Sequence, residues 1–333
     1  MWVVYPAPIS IAQAQSMPCC NEPGVRRLSR TAKLERGLIV ANYGRHFLVE
    51  TTGGERVICH SRGKKSAGVV GDKVMWQASL DEGTVETIEQ RSNLFYRRDE
   101  VRTKSFAANL DRVLILIAAE PAFSSSQLSR ALIAAEAEHI IPVIALNKSD
   151  MAEPFARAWD WLAPYRQMNY TVLPLSLKTR AEADKEHLLS HLQGKTTLVL
   201  GPSGAGKSTL INLLAPDASA QTGEISQALR AGKHTTTSTT LYWADSGKST
   251  ALIDSPGFQE FGLQHIDPMH LAGYMPDLKL HATNCRFYNC THLHEPGCAV
   301  ISAVGVGSSA SGISADRYKI YGELFAELSR PKY

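Results

Sequence analysis

The sequence predicts a multidomain chain: a small N-terminal β-barrel, a central α/β domain on a mostly parallel sheet, and an α-rich C-terminal region organised around a Cys/His cluster. Three observations lead there. Residues 37–90 alternate short apolar stretches with turn residues, and from about residue 107 strand and helix patterns alternate. The stretch beyond residue 265 combines closely spaced Cys and His with one amphipathic helix. The expected boundaries are a disordered extension over 1–30, a barrel over 31–104, the α/β domain over 105–265 and the C-terminal region over 266–333.

Five short strands are expected at 37–43, 45–51, 55–60, 73–77 and 84–89, with Gly53-Gly54 marking a hairpin and Gly71-Asp72 and Gly83 further turns. So many strands in so short a stretch suit a small closed barrel. An OB-fold, which binds oligonucleotides on its strand face, is the natural candidate, and an SH3-like barrel accounts for the same strand content. Beyond it, 113–119 is a purely apolar strand, 127–139 an Ala/Leu-rich helix and 140–146 the next strand. Another strand at 172–176 and a helix at 183–192 follow, then strand Thr196–Leu200 and helix Lys207–Leu214, which stops before Pro216. Repeated strand–helix units imply a doubly wound, mostly parallel sheet. Residues 240–244 and 249–254, joined by Asp245-Ser246-Gly247, look like an antiparallel hairpin at its edge. The last helix, Ala315–Leu328, carries Ile320, Tyr321, Leu324, Phe325 and Leu328 on its apolar side.

A chain of 333 residues with 44% hydrophobic content can bury a substantial core in two or three domains. Its longest apolar run, 113–119, is far short of the roughly 20 residues that cross a bilayer, so no membrane partner is expected. The first residues lack the basic start of a secretory signal and read as a frayed N-terminus with Met17 as a possible start, which favours a cytoplasmic location. The net charge is only +3, but the positive residues concentrate early. Arg26, Arg27, Arg30, Lys33 and Arg36 form one cluster, Arg62, Lys64 and Lys65 a second, and Arg91, Arg97, Arg98, Arg102 and Lys104 a third. Solvated surface charge explains any one of them. Three around one small all-β segment point to a phosphate-backbone partner.

Gly201-Pro202-Ser203-Gly204-Ala205-Gly206-Lys207-Ser208, followed by Thr209, lies between an apolar strand and a helix, the context a phosphate loop requires. Its backbone N–H groups and the helix N-terminus suit phosphates, Lys207 the outer phosphates, and the Ser208 hydroxyl Mg²⁺. Such a loop serves ATP and GTP alike. Asn147-Lys148-Ser149-Asp150, after the strand 140–146, selects guanine, because the Asp150 carboxylate accepts from both guanine N1–H and the exocyclic amine. Ser176, at the end of another strand, is expected to support the base through its backbone. Asp254-Ser255-Pro256-Gly257 ends a strand, so Asp254 suits water-mediated Mg²⁺ binding and the Gly257 N–H the γ-phosphate. Between these motifs, Gly232-Lys233-His234-Thr235-Thr236-Thr237 is placed as a first switch, with one of the three threonines completing the Mg²⁺ shell. The next residue after Gly257 is Phe258, which cannot orient water by hydrogen bonding, so His234 is the candidate catalytic group. The base-selecting tetrad precedes the phosphate loop, the reverse of the usual GTPase order, which marks a circular permutation.

Cys285-x4-Cys290-x-His292-x5-Cys298 has the spacing of a structural Cys₃His zinc set, one ion per chain. His281 and His294 are rivals; Pro296-Gly297 beside His294 favours His292. Cys19, Cys20 and Cys59 lack a matching set, and Cys59 reads as a core residue.

These motifs, in this order, resemble the circularly permuted ribosome-small-subunit-dependent GTPase A family, which acts in maturation of the small ribosomal subunit. The resemblance spans roughly residues 30–330. It implies an OB-fold, a central GTPase domain and a zinc-binding C-terminal region, binding to the 30S subunit and its 16S rRNA, and a slow GTPase stimulated there, in a protein expected to be monomeric. The apolar, cysteine-bearing start over 1–20 departs from the basic tail that the family tends to carry. Two functions compete: a GTP hydrolase, or a GTP-regulated RNA-binding protein with negligible turnover, for which Phe258 is the motivating residue. Turnover with and without 30S subunits separates them.

Overall fold

The computed structural model describes residues 33–63, 68–79, 82–216, 218, 238–256, 258, 261–305 and 312–330. The early strands are β1 (Glu35–Asn42), β2 (His46–Thr51), β3 (Arg56–Ser61), β4 (Lys73–Ala78) and β5 (Gly83–Ile88). They close on themselves in the order β1-β2-β3-β5-β4-β1. The β3–β5 pair is parallel, through Cys59↔Gly83 to Ser61↔Val85, and every other pair is antiparallel. That closure is OB-type and resolves the choice between barrels. A bulge between Ile39 and Ala41 bends β1, which pairs with β4 at its start and with β2 along most of its length. Ile39, Val49, Cys59, Val74 and Trp76 fill the interior.

A separate hairpin, β6 (Leu94–Arg98) with β7 (Thr103–Ala108), follows the barrel. The central domain then runs β8 (Arg112–Ala118), α1 (Ser125–Ala137), β9 (Ile141–Asn147), α2 (Ala152–Trp161), α3 (Ala163–Gln167), β10 (Thr171–Pro174), α4 (Ala181–Leu192), β11 (Thr196–Leu200), α5 (Lys207–Leu214), β12 (Thr239–Trp243) and β13 (Ala251–Asp254). Its strands lie in the order β10-β9-β8-β11-β13-β12, parallel except for edge strand β12. The half carrying Asn147–Asp150, β8 to β10, therefore sits directly beside the half carrying Gly201–Ser208 across the β8–β11 pair. Permutation moves the chain ends and leaves the sheet whole.

Period-2 geometry explains the unbroken apolar run of β8, since a parallel strand is covered on both faces. Val113, Ile115 and Ile117 join the core that includes Leu128 and Leu132 of α1. Leu114, Leu116 and Ala118 join the opposite core with Leu188 of α4 and Leu210 of α5. Fully burying one such side chain stabilises the fold by about 1.5–3 kcal/mol. Helix α1 starts earlier than its apolar pattern suggests because Ser124 caps it, its hydroxyl accepting from the Gln127 N–H at 3.3 Å.

The C-terminal region comprises a 3₁₀ helix (Pro268–Tyr274), α6 (Pro276–Ala282), α7 (Ala299–Ala303) and α8 (Ala315–Leu328). It packs on the α1 side, where Leu271, Leu278, Tyr321, Leu324 and Leu328 extend the same core. One buried arginine pins it. The Arg317 guanidinium makes two 2.9 Å bonds to Asp277 and one of 2.9 Å to the Ser129 hydroxyl of α1. On the other side, β1 pairs with β12 through Ala41↔Thr240 and Asn42↔Thr239, which joins barrel and central sheet into one eleven-stranded sheet. Buried Glu50 reinforces the joint, accepting from Arg56 at 3.1 Å, Trp243 at 3.0 Å and Lys248 at 2.8 Å. Among the described residues no helix is long and apolar enough to cross a membrane.

Candidate functional site

The candidate nucleotide site lies at the C-terminal ends of the parallel strands, where α/β sheets bind ligands. β11 ends at Leu200 and α5 begins at Lys207, with Gly201 to Gly206 looping between them. Gly206 has φ +102°, and a Cβ there would sit 2.6 Å from the Asn147 Nδ2, so both backbone and space demand glycine. Among the described residues no side chain caps the N-terminus of α5. Its first N–H groups and dipole suit an anion. Ser203, Gly204, Ser208 and Thr209 are exposed, Pro202, Gly206 and Lys207 half-buried, and Gly201 and Ala205 buried. The β11–β13 register sets Val199 beside Asp254, and the Lys207 ammonium pairs with the Asp254 carboxylate. One ion pair thus links the start of α5 to the end of β13.

The tetrad expected to read the base begins at Asn147, the last residue of β9. Asn147 is only 5% exposed and acts as a tie. Its Nδ2 donates to the Ala205 carbonyl at 2.9 Å, and its Oδ1 accepts from the Leu177 N–H at 3.2 Å. One amide therefore locks the tetrad, the phosphate loop and the loop after β10 together. Lys148 takes a left-handed φ of +69°, and its ammonium donates to the Glu120 carbonyl. The Ser149 N–H donates to the Leu175 carbonyl at 2.9 Å. Asp150 is exposed, and its Oδ1 accepts from the Ser176 hydroxyl at 2.7 Å. That bond, ahead of its other contacts, lowers the Asp150 pKa and keeps the carboxylate charged.

Ser176 has both its backbone and its side chain engaged. Its backbone N–H donates to the buried Asp184 carboxylate, which Arg180 also bridges at 3.1 Å, while its hydroxyl donates to Asp150. Asp184 lay outside the sequence expectations, because a carboxylate on a helix face reads as solvated until its tertiary partner is known. His234, Thr235, Thr236, Thr237 and Gly257 lie outside the described residues, as do Cys19, Cys20 and residues 1–30. Phe258 is 4% exposed and part of the core, so its ring does not face solvent.

Cys285, Cys290, His292 and Cys298 converge, their ligand atoms all within 4.8 Å of one another. The Cys285 and Cys298 sulfurs are 3.8 Å apart and lie 3.4 Å and 3.5 Å from the His292 Nδ1. Tetrahedral bonding at the usual Zn–S and Zn–N lengths requires about 3.8 Å between sulfurs and about 3.6 Å from sulfur to nitrogen. The four residues fit such an ion. Cys59, by contrast, is fully buried in the barrel. The cluster rests on α8, whose Tyr318 hydroxyl donates to the His292 carbonyl at 2.8 Å and whose Tyr321 hydroxyl donates to the Thr291 carbonyl at 2.7 Å. Glu295 closes the loop, accepting from the Thr291 N–H at 2.8 Å and the Leu293 N–H at 3.2 Å. Burial opposes its charge, but the Thr291 hydroxyl and N–H, with the Glu295 and His294 N–H groups, outweigh that and lower its pKa.

A family model for the RsgA GTPase matches residues 88–264. The chain is 70% identical over 300 residues to the small ribosomal subunit biogenesis GTPase RsgA of Variovorax paradoxus, covering 90% of this chain and 94% of that one. It is 50% identical over 299 residues to the protein of the same name from Paraburkholderia phytofirmans, covering 88% and 93%. Among solved structures it is similar to YloQ, a circularly permuted GTPase, with a TM-score of 0.66 and 27% identity over 92% of this chain and 100% of that one. YjeQ from Thermotoga maritima aligns with a TM-score of 0.68 and 26% identity, covering 90% and 100%.

Proposed function

The chain belongs to the RsgA GTPase family, and from that premise we propose that it is a GTP hydrolase of ribosome biogenesis that binds the small (30S) subunit and its 16S rRNA late in maturation, with turnover stimulated there. The observation that carries the nucleotide reading is the Asn147 tie. Residues far apart in the chain are held as one loop cluster by its bonds to Ala205 and Leu177.

In this reading Asn147, Lys148 and Asp150 receive guanine, with Ser176 holding the Asp150 carboxylate in place. The loop from Gly201 to Gly206 surrounds the phosphates, and Lys207 leaves Asp254 for the outer phosphates, exchanging one anion for another. Ser208 and one of Thr235, Thr236 or Thr237 would hold Mg²⁺, with Asp254 acting through water, and Thr209 and the Gly257 N–H would help to receive the phosphates. Bound Mg²⁺ would neutralise charge developing between the β- and γ-phosphates. His234 orients the attacking water. Cys285, Cys290, His292 and Cys298 hold one structural Zn²⁺, which closes all four positions to substrate. Barrel and C-terminal region both contact rRNA, and the protein acts as a cytoplasmic monomer, partitioned near residues 30, 104 and 265.

One observation favours the second reading, a GTP-regulated RNA-binding protein with negligible turnover. Buried Phe258 removes the position next to Gly257 from water handling. Measuring GTP turnover with and without 30S subunits decides between them. Stimulation supports the hydrolase. Equal, negligible turnover in both conditions supports the second reading.

A further inference from the structure

The loop after β10, from which the Ser176 hydroxyl braces Asp150, has its backbone fixed from both sides. The Ser176 N–H donates to the buried Asp184 carboxylate, and the Ser176 carbonyl accepts from the Thr179 N–H at 3.2 Å and the Arg180 N–H at 2.9 Å. Arg180 holds Asp184 in turn at 3.1 Å. Backbone groups alone therefore close this turn. What they leave free is the Ser176 side chain, whose hydroxyl has three staggered directions open to it. One further bond chooses among them: the Ser176 and Thr179 hydroxyl oxygens lie 2.6 Å apart.

The direction of that bond follows from proton count. A serine hydroxyl carries one proton and two lone pairs, whereas an ionised carboxylate only accepts. Ser176 gives its proton to the Asp150 Oδ1 at 2.7 Å, a bond that lowers the Asp150 pKa and keeps the carboxylate charged. The Ser176 oxygen can then only accept from Thr179, so donation runs from Thr179 to Ser176 to Asp150. Successive bonds in such a chain polarise one another, each strengthening the next. Ser176 is fully buried, so a partner within the protein has to meet its oxygen. Thr179 itself is exposed and stood outside the residues expected from the sequence to serve the nucleotide.

We propose that Thr179 is a positioning residue for guanine recognition: it orients the Ser176 hydroxyl, which sets the plane of the Asp150 carboxylate so that both oxygens face the base edge at once. The inference rests on the assignment of Asp150 to guanine made above. Oδ1 keeps a second lone pair for the base while it accepts from Ser176. Guanine offers two donors to that carboxylate, N1–H and the exocyclic amine, and hypoxanthine offers only N1–H. A carboxylate that turns freely still meets one donor with either oxygen, but two donors at fixed spacing require its plane to be held. Thr179 therefore governs discrimination between the two bases rather than nucleotide binding as such, and it does so through Ser176.

The test uses the full-length protein, purified without chelator and with Mg²⁺ present, in competition between GDP and inosine diphosphate. Their phosphates are identical, so the ratio of affinities reports the base edge alone. Thr179→Val keeps the shape and removes the hydroxyl, and Thr179→Ser keeps the hydroxyl. Thr179→Val is expected to weaken GDP by about threefold to tenfold, the scale of one hydrogen bond, and inosine diphosphate by less than about twofold. Thr179→Ser should retain the wild-type ratio. Ser176→Ala should lower the ratio at least as far, and adding Thr179→Val to it should change the ratio by less than about twofold, because the second hydroxyl then has nothing to act through. An unchanged ratio in Thr179→Val overturns the proposal. So do equal losses for both nucleotides, which mark a merely structural role, a serine variant that behaves like valine, or effects of the two substitutions that multiply. Wild-type protein without a preference for GDP over inosine diphosphate would instead remove the guanine site, and the inference with it.

Discussion

Arg317→Met tests how the C-terminal region is fastened to the GTPase body. The guanidinium is 4% exposed, bonds twice to Asp277 at 2.9 Å and once to Ser129 at 2.9 Å, and lies 5.2 Å from the Tyr165 ring. Methionine fills much of the volume but strands the Asp277 carboxylate, itself only 9% exposed. Removing one partner of a buried pair costs about 3–5 kcal/mol. Asp277 keeps a 3.1 Å bond from the Leu278 N–H, which argues for the lower end. Amide hydrogen exchange in α6 and α8 reads this locally, since the opening free energy of a segment sets its protection. A loss of about 3 kcal/mol lowers protection there on the order of 10²-fold. The barrel amides should be unaffected. Arg317→Met combined with Asp277→Leu should recover most of the loss, because no charge is then left unpaired. A protection change below about threefold, or a double variant as weak as the single one, would refute the assignment of Arg317, braced by Asp277, as the clamp.

Other consequences follow from the same geometry. Elemental analysis should find one zinc per chain in protein purified without chelator, and Cys290→Ala should lose it along with α7 and α8 protection while GTP affinity stays within about threefold, since the two sites share no ligand; zinc retained in Cys290→Ala contradicts the ligand set. Replacing His292 with alanine should lose zinc and replacing His294 should not, and the reverse outcome would reassign the fourth ligand. His234→Ala should keep analogue-dependent 30S binding but reduce stimulated turnover by roughly 10²-fold or more, the usual scale for a positioned general acid or base; full turnover in that variant leaves the activating group to the partner.

The parts of this protein legible in the sequence are those set by local period and spacing. The apolar run of β8, the Gly-rich loop before α5 and the Cys/His spacing each sit on a few consecutive residues, so pattern alone places them. Strand content of the barrel was equally visible, but its identity depended on the parallel β3–β5 pairing, which joins residues too far apart for a local pattern to specify. Buried charge was the least legible. Asp184 and Arg317 look like ordinary surface residues in the chain, because only a tertiary partner decides whether a charge is solvated or paired. Ser176 shows the same limit within a motif: its position was readable, whereas the Asp184 carboxylate that claims its N–H was not.

The central claim is that a tetrad placed before the phosphate loop in the chain reads guanine beside it in space. Asp150→Asn tests it most directly, measured as competition between GTP and xanthosine triphosphate for one labelled nucleotide. Asp150 presents an exposed carboxylate braced by the Ser176 hydroxyl, and an amide in its place both loses acceptors for guanine and gains a donor suited to the altered xanthine edge. Two charge-assisted hydrogen bonds of about 1.5–3 kcal/mol each are at stake, so GTP should weaken by at least roughly 10²-fold. Xanthosine triphosphate should become the better ligand. GTP affinity unchanged in Asp150→Asn, with no gain for xanthosine triphosphate, would contradict the account at its root.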